Sequence, residues 1–354
     1  MTTYIIRRLL FIPVLLLGVT LLIFGMMQFL GPVERSALYI RDFPKNERAI
    51  DGIIKRYGLD RPFYEQYYRW LVGHVDKTSG ERTGGILFGD FGYSRTASQP
   101  VVDLIRTRFP NTLDLTLWAV LPVILVGIWL GVQAAVHHNG FIDQAARIFS
   151  IVGASFPTFV FGLLMLMLFY ANLQWFPPGR LSDWASQIVS SDQFHRYTGL
   201  LTLDALLNGQ VKIFLDALRH MVMPILTLSY ISWATFVRVT RSSMLETLRQ
   251  DYVVTARAKG LPERAVIFRH AQPNAMIPVV TLAGFQVILL LGGVVITETV
   301  FNYPGIGKAA ADAAAQLDVV TVLGFALFNG FILILANLVV DVLYAVIDPR
   351  VRLS

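Results

Sequence analysis

Six stretches of this chain, residues 9–30, 115–136, 148–171, 221–237, 275–297 and 319–340, contain no Asp, Glu, Lys or Arg. Their lengths are 22, 22, 24, 17, 23 and 22 residues, and a helix needs ~17–25 residues to cross a ~30 Å hydrocarbon core. Only the fourth is marginal, and its uncharged polar neighbours predict that it extends at either end. The chain as a whole is 55% hydrophobic and 15% charged, with a mean hydropathy of +0.56. Soluble domains sit nearer ~45–50% and ~25%, so the sequence implies an all-α polytopic membrane protein with six transmembrane helices.

The first run follows Arg7 and Arg8. Its apolar core is too long for a signal peptide, and Gly31-Pro32-Val33-Glu34 offers no small-x-small cleavage site. It is expected to stay as a spanning helix with its N-terminus inside. On that topology the short inner segments carry Arg7, Arg8, Arg147, Arg238, Arg241, Arg249, Arg257, Lys259, Arg264, Arg269, Arg350 and Arg352. The two shorter outer segments carry Arg180, Arg196, Lys212, Arg219 and Lys308. Twelve against five agrees with the positive-inside rule, from which the long segment 31–114 is exempt. Both termini are therefore expected to be cytoplasmic.

Three regions follow: residues 1–30 with the first span, an extracytoplasmic segment 31–114, and a five-helix core 115–354 with a cytoplasmic loop at 238–274. Zero cysteines exclude disulfides and thiolate metal sites. The net charge of +6 is dispersed between apolar runs, which argues against nucleic acid as a partner. Pro13, Pro122, Pro157, Pro224 and Pro278 fall in or beside five of the runs, where kinks are tolerated if neighbouring helices re-satisfy the freed carbonyls. Gly127, Gly131, Gly292 and Gly293 supply small surfaces for close helix approach. In the outer segment, Ile50, Ile53, Ile54 and Tyr57 predict an amphipathic helix ended by Gly58.

The inner loop between the fourth and fifth runs is the most informative. Leu245, Leu248 and Tyr252 recur at i, i+3 and i+7, which predicts one helical face. Lys259 suits a helix C-terminus and Gly260 the cap position beyond it. Pro262 then opens a second short helix through Val266, Ile267 and Phe268. A helix ending in Ala256-x-Ala258-x-Gly260 can seat its small-residue end in another protein's groove. Resting on lipid headgroups is the alternative.

The run Asp251-Tyr252-Val253-Val254-Thr255-Ala256-Arg257-Ala258-Lys259-Gly260-Leu261 resembles the EAA-type coupling loop of bacterial ABC importer permeases of the dipeptide/oligopeptide/nickel group. Arg241-Ser242-Ser243-Met244-Leu245, Asn274-Ala275-Met276-Ile277-Pro278, Glu298-Thr299-Val300-Phe301-Asn302-Tyr303-Pro304-Gly305 and Asp348-Pro349-Arg350 follow the same motif order. The likeness covers nearly the whole chain and points to the dipeptide-permease B type of subunit. Gln272-Pro273 and the long outer segment 172–220 depart from the group's pattern.

The resemblance implies the type I ABC importer permease fold in a bacterial inner membrane and import of di- or oligopeptides, with oligosaccharides or nickel as alternatives. It also implies a second homologous permease as heterodimer partner, two ATP-binding subunits and an extracytoplasmic substrate-binding protein. This chain would bind no cofactor, its partners binding ATP and Mg. Residues 246–260 would dock on an ATPase. Tyr252 would be an aromatic anchor, Glu246, Asp251, Arg257 and Lys259 charged contacts, and Ala256, Ala258 and Gly260 close-approach positions.

Glu298, at the end of the fifth run, is read either as a pore or gate residue or as a hydrogen-bonding group at a helix end. Asn329, Asn337 and Asp341 fall on roughly one side of the sixth helix, suited to interhelical hydrogen bonds or to pore lining. Gly305-Ile306-Gly307-Lys308-Ala309 lacks the first glycine and the hydroxyl of a phosphate-binding loop. His137-His138 reads as a solvated loop pair. No constellation in the chain carries hydrolytic chemistry. An ion-coupled carrier is the competing class, and it would want buried carboxylate pairs at mid-bilayer, where these runs carry no charge.

Overall fold

The computed structural model describes residues 2–36, 47–75, 82–292 and 294–347. The helices, in chain order, are α1 (Thr2–Met27), α2 (Pro32–Ser36), α3 (Glu47–Tyr57), α4 (Phe63–Val72), α5 (Val101–Val136), α6 (Phe141–Ser155), α7 (Thr158–Met165), α8 (Asp183–Val189) and α9 (Leu201–Leu207). They continue with α10 (Val211–Thr247), α11 (Asp251–Ala258), α12 (Glu263–Ala265), α13 (Gln272–Ala275), α14 (Ile277–Leu291), α15 (Val295–Val300), α16 (Ile306–Ala315) and α17 (Val319–Ile347). Wider π-helical turns occupy Leu166–Asn172 and Val266–Ala271. Two antiparallel pairs of two-residue strands interrupt the helical chain. His74 pairs with Thr83 and Val75 with Arg82, then Tyr93 with Pro100 and Ser94 with Gln99.

Among the described residues, four helices are long and apolar enough to span a membrane, or six if each of two bent pairs counts as one span. The fourth run does extend, into the 37-residue α10. Pro13, Pro122 and Pro224 sit inside α1, α5 and α10 without ending them. The third run differs from a simple spanning helix: α6 and the α7 segment meet at 105°. Proline disfavours helical backbone in the residue before it, and Phe156 ahead of Pro157 is extended (φ −90°, ψ 125°). The fifth run is also broken. The helical stretch Glu263–Ala275 meets α14 at 55°, and α14 stops at Leu291 before α15 begins. Gly293 lies outside the described residues.

The chain divides into two compact units, Met1–Phe109 with Gly305–Val342 and Pro110–Pro304 with Leu343–Ser354. In the first, Ile23, Phe24 and Met27 of α1 pack with Trp70 of α4 and Leu327 of α17. A second cluster joins Val101, Leu104 and Ile105 to Ile306, Val320 and Phe325. Helix α3 ends as expected, at Gly58 with φ +66°. Asp318, just ahead of α17, accepts from Ser94 Oγ (3.1 Å), the Thr96 N–H (3.1 Å) and Thr321 Oγ1 (2.6 Å). Burial alone would raise its pKa, but these hydrogen bonds outweigh it and hold the carboxyl below its ordinary value.

In the second unit α10 is the central element. A Cβ on Gly127 would lie 2.6 Å from Phe236 Cβ, and one on Gly131 2.5 Å from Thr240 Cβ and 3.1 Å from the Val237 carbonyl oxygen. Close approach of α5 to α10 therefore depends on these two glycines. The segment 172–220 folds around its own small core: Ala185, Val189, Phe194, Leu201, Ala205, Ile213 and Ala217. Asp216 fastens one side by accepting from the Ser182 N–H (2.8 Å) and hydroxyl (2.7 Å). Asp204 fastens the other, through the N–H and hydroxyl of Thr198, both at 2.8 Å.

Gly131→Ala is expected to destabilise the protein in detergent by about 1–3 kcal/mol, the usual range for overpacking. Gly25→Ala, where nothing lies within 4 Å of the new Cβ, should be neutral or slightly stabilising. Thermal unfolding followed by size-exclusion chromatography separates the two, and equal losses would contradict the packing described.

Candidate functional site

The loop between α10 and α14 is built from residues that bury two short helices against each other. Helix α10 ends where the Arg249 N–H reaches the Glu246 carbonyl (3.2 Å) and the Gln250 N–H the Thr247 carbonyl (3.1 Å). Gln250 is then extended (φ −71°, ψ 146°), and Asp251 opens α11, its charge complementing the helix N-terminus. The chain turns back at Gly260, whose φ of +77° is left-handed, a conformation that costs glycine no Cβ clash. Pro262, at the N-cap of α12, restarts the helix.

Val253 and Ala256 of α11 pack on Val266 and Ala271 of the returning stretch of helix, with Leu248 alongside. Fully burying each valine contributes on the order of 1.5–3 kcal/mol. Met244, Ile267 and Ala275 continue this core onto Val132 and Ala135 of α5, and Ser243 Oγ donates to the Ala275 carbonyl at 2.8 Å. The module is thus seated firmly on the ends of α5 and α10.

Three expectations change here. Leu245, Leu248 and Tyr252 do not share one helical face, because the turn at Leu248–Gln250 separates α10 from α11. Leu245 and Leu248 pack inward while Tyr252 is 43% exposed, its hydroxyl accepting from Asn274 Nδ2 at 3.0 Å. Ala256 and Ala258 do not present one small-residue surface either. Two residues along a helix turn through about 200°, so Ala256 is buried at 6% while Ala258 is exposed. Arg257 is engaged within the module: its Nη2 meets Glu263 Oε1 at 2.8 Å and its Nε sits 3.2 Å from both carboxylate oxygens. The hydrogen bond to Glu263 raises the Arg257 pKa from its ordinary value.

The outward surface consequently comprises Glu246, Asp251, Tyr252, Ala258, Lys259 and Gly260, with Val254 and Leu261 exposed beside them. It is a mixed apolar and charged ridge ending in a glycine turn, where Gly260 itself adds no side chain. A partner surface can approach its backbone closely there.

A second feature at the same end of α10 was not legible in the sequence. Asp143, fully buried at the start of α6, accepts from Arg241 Nε (2.5 Å) and Nη2 (2.9 Å) and from the Asn139 N–H (2.9 Å). His138 Nδ1 lies 3.4 Å from the same carboxylate, so this histidine of the loop pair has an acidic neighbour. Arg241 and Asp143 are 98 residues apart, and neither stands in a motif that names the other.

The residues considered for a pore have different local surroundings. Glu298 is fully buried in α15 and accepts a hydrogen bond from Thr112 Oγ1 at 2.7 Å. Nearby, Asp114 accepts from Thr202 Oγ1 (2.5 Å) and its N–H (3.1 Å), and the Thr202 hydroxyl in turn accepts from Trp118 Nε1 (3.0 Å). Asn329 is half-buried in α17. Asn337 is exposed, and its Nδ2 donates to the Leu333 carbonyl of its own helix (2.9 Å) rather than to a neighbouring one. Asp341 is helical, but its side chain lies outside the described residues.

The apolar spans, the bent helix pairs and the short two-helix module on the ends of α5 and α10 define a multi-pass membrane protein of the permease type. Residues 124–353 match the family model described as binding-protein-dependent transport system inner membrane component, and residues 1–116 match the model for the N-terminal part of such membrane components. The chain belongs to this family of binding-protein-dependent transport permeases, which have the type I ABC permease fold and reside in the bacterial inner membrane. It is 41% identical over 310 residues, 86% of each chain, to the probable D,D-dipeptide transport system permease protein DdpB of Escherichia coli (strain K12). It is 39% identical over 360 residues, 99% of each chain, to the di/tripeptide transport system permease protein DppB of Pseudomonas aeruginosa (strain UCBPP-PA14). The oligopeptide transport system permease protein AppB of Bacillus subtilis (strain 168) is 35% identical over 354 residues, covering 99% of this chain and 100% of its own.

Arg241→Ala leaves the Asp143 carboxylate buried without its guanidinium. The expected loss is about 1–3 kcal/mol, the usual cost of stripping a buried acceptor of its charged donor. Arg241→Gln combined with Asp143→Asn should lose much less. Thermal unfolding of the single and double variants reads the coupling, and simple additivity would contradict the pairing.

Proposed function

We propose that this chain is one permease of an ABC importer for di- or oligopeptides, coupled to ATP hydrolysis through the exposed ridge of α11. Its partners are a second homologous permease, two ATP-binding subunits that carry ATP and Mg, and an extracytoplasmic binding protein that delivers the solute. The peptide class rests on the names carried by relatives that align with the whole chain. Both termini face the cytoplasm in this reading, supported by the twelve-to-five distribution of basic residues.

The observation that carries the coupling role is the module's division of labour. Val253 and Ala256 hold it to the ends of α5 and α10, while Asp251, Tyr252, Ala258, Lys259 and Gly260 stay open. A cleft that grips this ridge grips the ends of two long helices. Closure of the ATPase pair then favours one arrangement of those helices, because a partner shifts a conformational equilibrium only by binding its two states differently. Arg257 serves by clamping α11 to α12 through Glu263, and Glu246 flanks the ridge from the end of α10. Glu298, Asn329, Asn337 and Asp341 remain as residues of the translocation bundle, with Glu298 holding α15 to α5 through Thr112.

Ala258→Glu tests this reading, since the site is exposed and the substitution leaves the module's core intact. Tagged protein purified from its host in mild detergent should bring down the second permease and the ATPases. The variant should retain the permease and lose the ATPases. Equal ATPase recovery with both proteins would remove the ridge from the coupling interface.

A further inference from the structure

Helix α4 belongs to a segment whose sequence reads as lying outside the membrane, yet it packs on the last turns of the apolar helix α1. Phe24 of α1 is surrounded by three of its rings: Phe63 at 5.2 Å and Tyr67 at 5.4 Å edge-on, and Trp70 at 5.2 Å. The Tyr67 hydroxyl hydrogen-bonds Thr20 Oγ1 of α1 at 2.8 Å. The apolar span of α1 is Leu9–Met27. At 1.5 Å per residue, Phe24 lies ~5 Å and Thr20 ~10 Å inside its Met27 end. That is the depth, ~5–10 Å, at which interfacial helices bury their apolar face.

The rest of α4 fits that position. Tyr64 and Tyr68, one turn apart, are 73% and 61% exposed, and Phe63 is 45% exposed despite its contact with Phe24. The turn Ile86–Phe88 docks through Ile86 and leaves Leu87 (67%) and Phe88 (62%) open beside them. Glu65 and Arg69 form a separate charged row on α4, and Arg61 joins it from just before the helix. Arg35 fixes the geometry from the start of the segment, donating to Gln66 Oε1 at 2.6 Å and to Gln28 at the end of α1. On α1 itself, Leu22 and Met26 are exposed on the face turned away from Phe24 and Thr20, so α4 covers one side of this apolar helix and leaves the other side open.

We propose that α4 and the Ile86–Phe88 turn form an interfacial anchor, with Phe63, Tyr64, Tyr68, Leu87 and Phe88 seated at the headgroup–acyl boundary of the leaflet at the Met27 end of α1. Tyrosine suits this layer because its ring is apolar and its hydroxyl reaches water. The charged row of Glu65 and Arg69 turns to the aqueous side. The anchor holds the segment at a fixed depth without a further span.

Because the chain has no cysteine, single nitroxide labels test the proposal in the full transporter, assembled with cysteine-free variants of the partner subunits and reconstituted in phosphatidylcholine/phosphatidylglycerol vesicles without binding protein. Leu22→Cys on α1 calibrates lipid, and Asp51→Cys, exposed on α3, calibrates water. Tyr64→Cys, Tyr68→Cys and, on the separate turn, Leu87→Cys should show an oxygen-to-nickel-chelate collision ratio approaching that of Leu22→Cys and several-fold above that of Asp51→Cys. Ratios matching Asp51→Cys would overturn the anchor. So would labels open to the nickel chelate that become protected only when binding protein is added, which would make the surface a protein-docking face.

Discussion

A helix in hydrocarbon satisfies its backbone alone, but it has nothing to offer a charge. Much of this structure follows from that asymmetry. Charged residues are expelled to the ends of the six apolar runs, and those that remain buried there are held by specific donors. Asp143 has Arg241 and the Asn139 N–H, Asp114 has Thr202, Glu298 has Thr112, and Asp318 has Ser94, Thr96 and Thr321. Apart from the local contacts of Asn139 and Thr321, these bonds join residues 88 to 224 positions apart in sequence. Within the membrane, packing of small residues takes over, as at Gly127 and Gly131 against α10.

The runs were legible because ~20 consecutive residues without a charge are long enough to cross hydrocarbon and too apolar for a water-facing helix. The fourth run, the shortest, extends as α10 past Arg219 on one side and Arg238 on the other. The Gly260–Pro262 turn was legible too, since each residue has a narrow backbone preference. The breaks were less so. Pro157 coincides with a 105° bend, whereas Pro13, Pro122 and Pro224 lie in unbroken helices. Whether a proline ends a helix depends on tertiary packing that a single sequence does not display. The end of α10 at Leu248–Gln250 has no glycine or proline to mark it, so a helical repeat read across it merged two elements. The Arg241–Asp143 pair and the fold of 172–220 depend on long-range contacts with no local signature.

The loop between α10 and α14 illustrates why a motif and its geometry carry different information. Ala256-x-Ala258-x-Gly260 reads as one small surface, but helical rotation assigns Ala256 to the core and Ala258 to the outside. The alternation is mechanically useful. Small inward residues let α11 lie close to the returning helix, and small outward ones leave the tip approachable. Arg257, turned onto Glu263, stiffens the hairpin between them. The hairpin is joined to α5 and α10 by the cluster around Met244, Ile267 and Ala275.

The most direct test of this account is solute uptake by the complete assembly in proteoliposomes, with ATP supplied on the side of the ATPases. The account predicts uptake of a labelled dipeptide that requires ATP and the binding protein, and that Ala258→Glu abolishes while the permease pair stays intact. Uptake driven by an ion gradient without ATP, or undiminished in the variant, would contradict it.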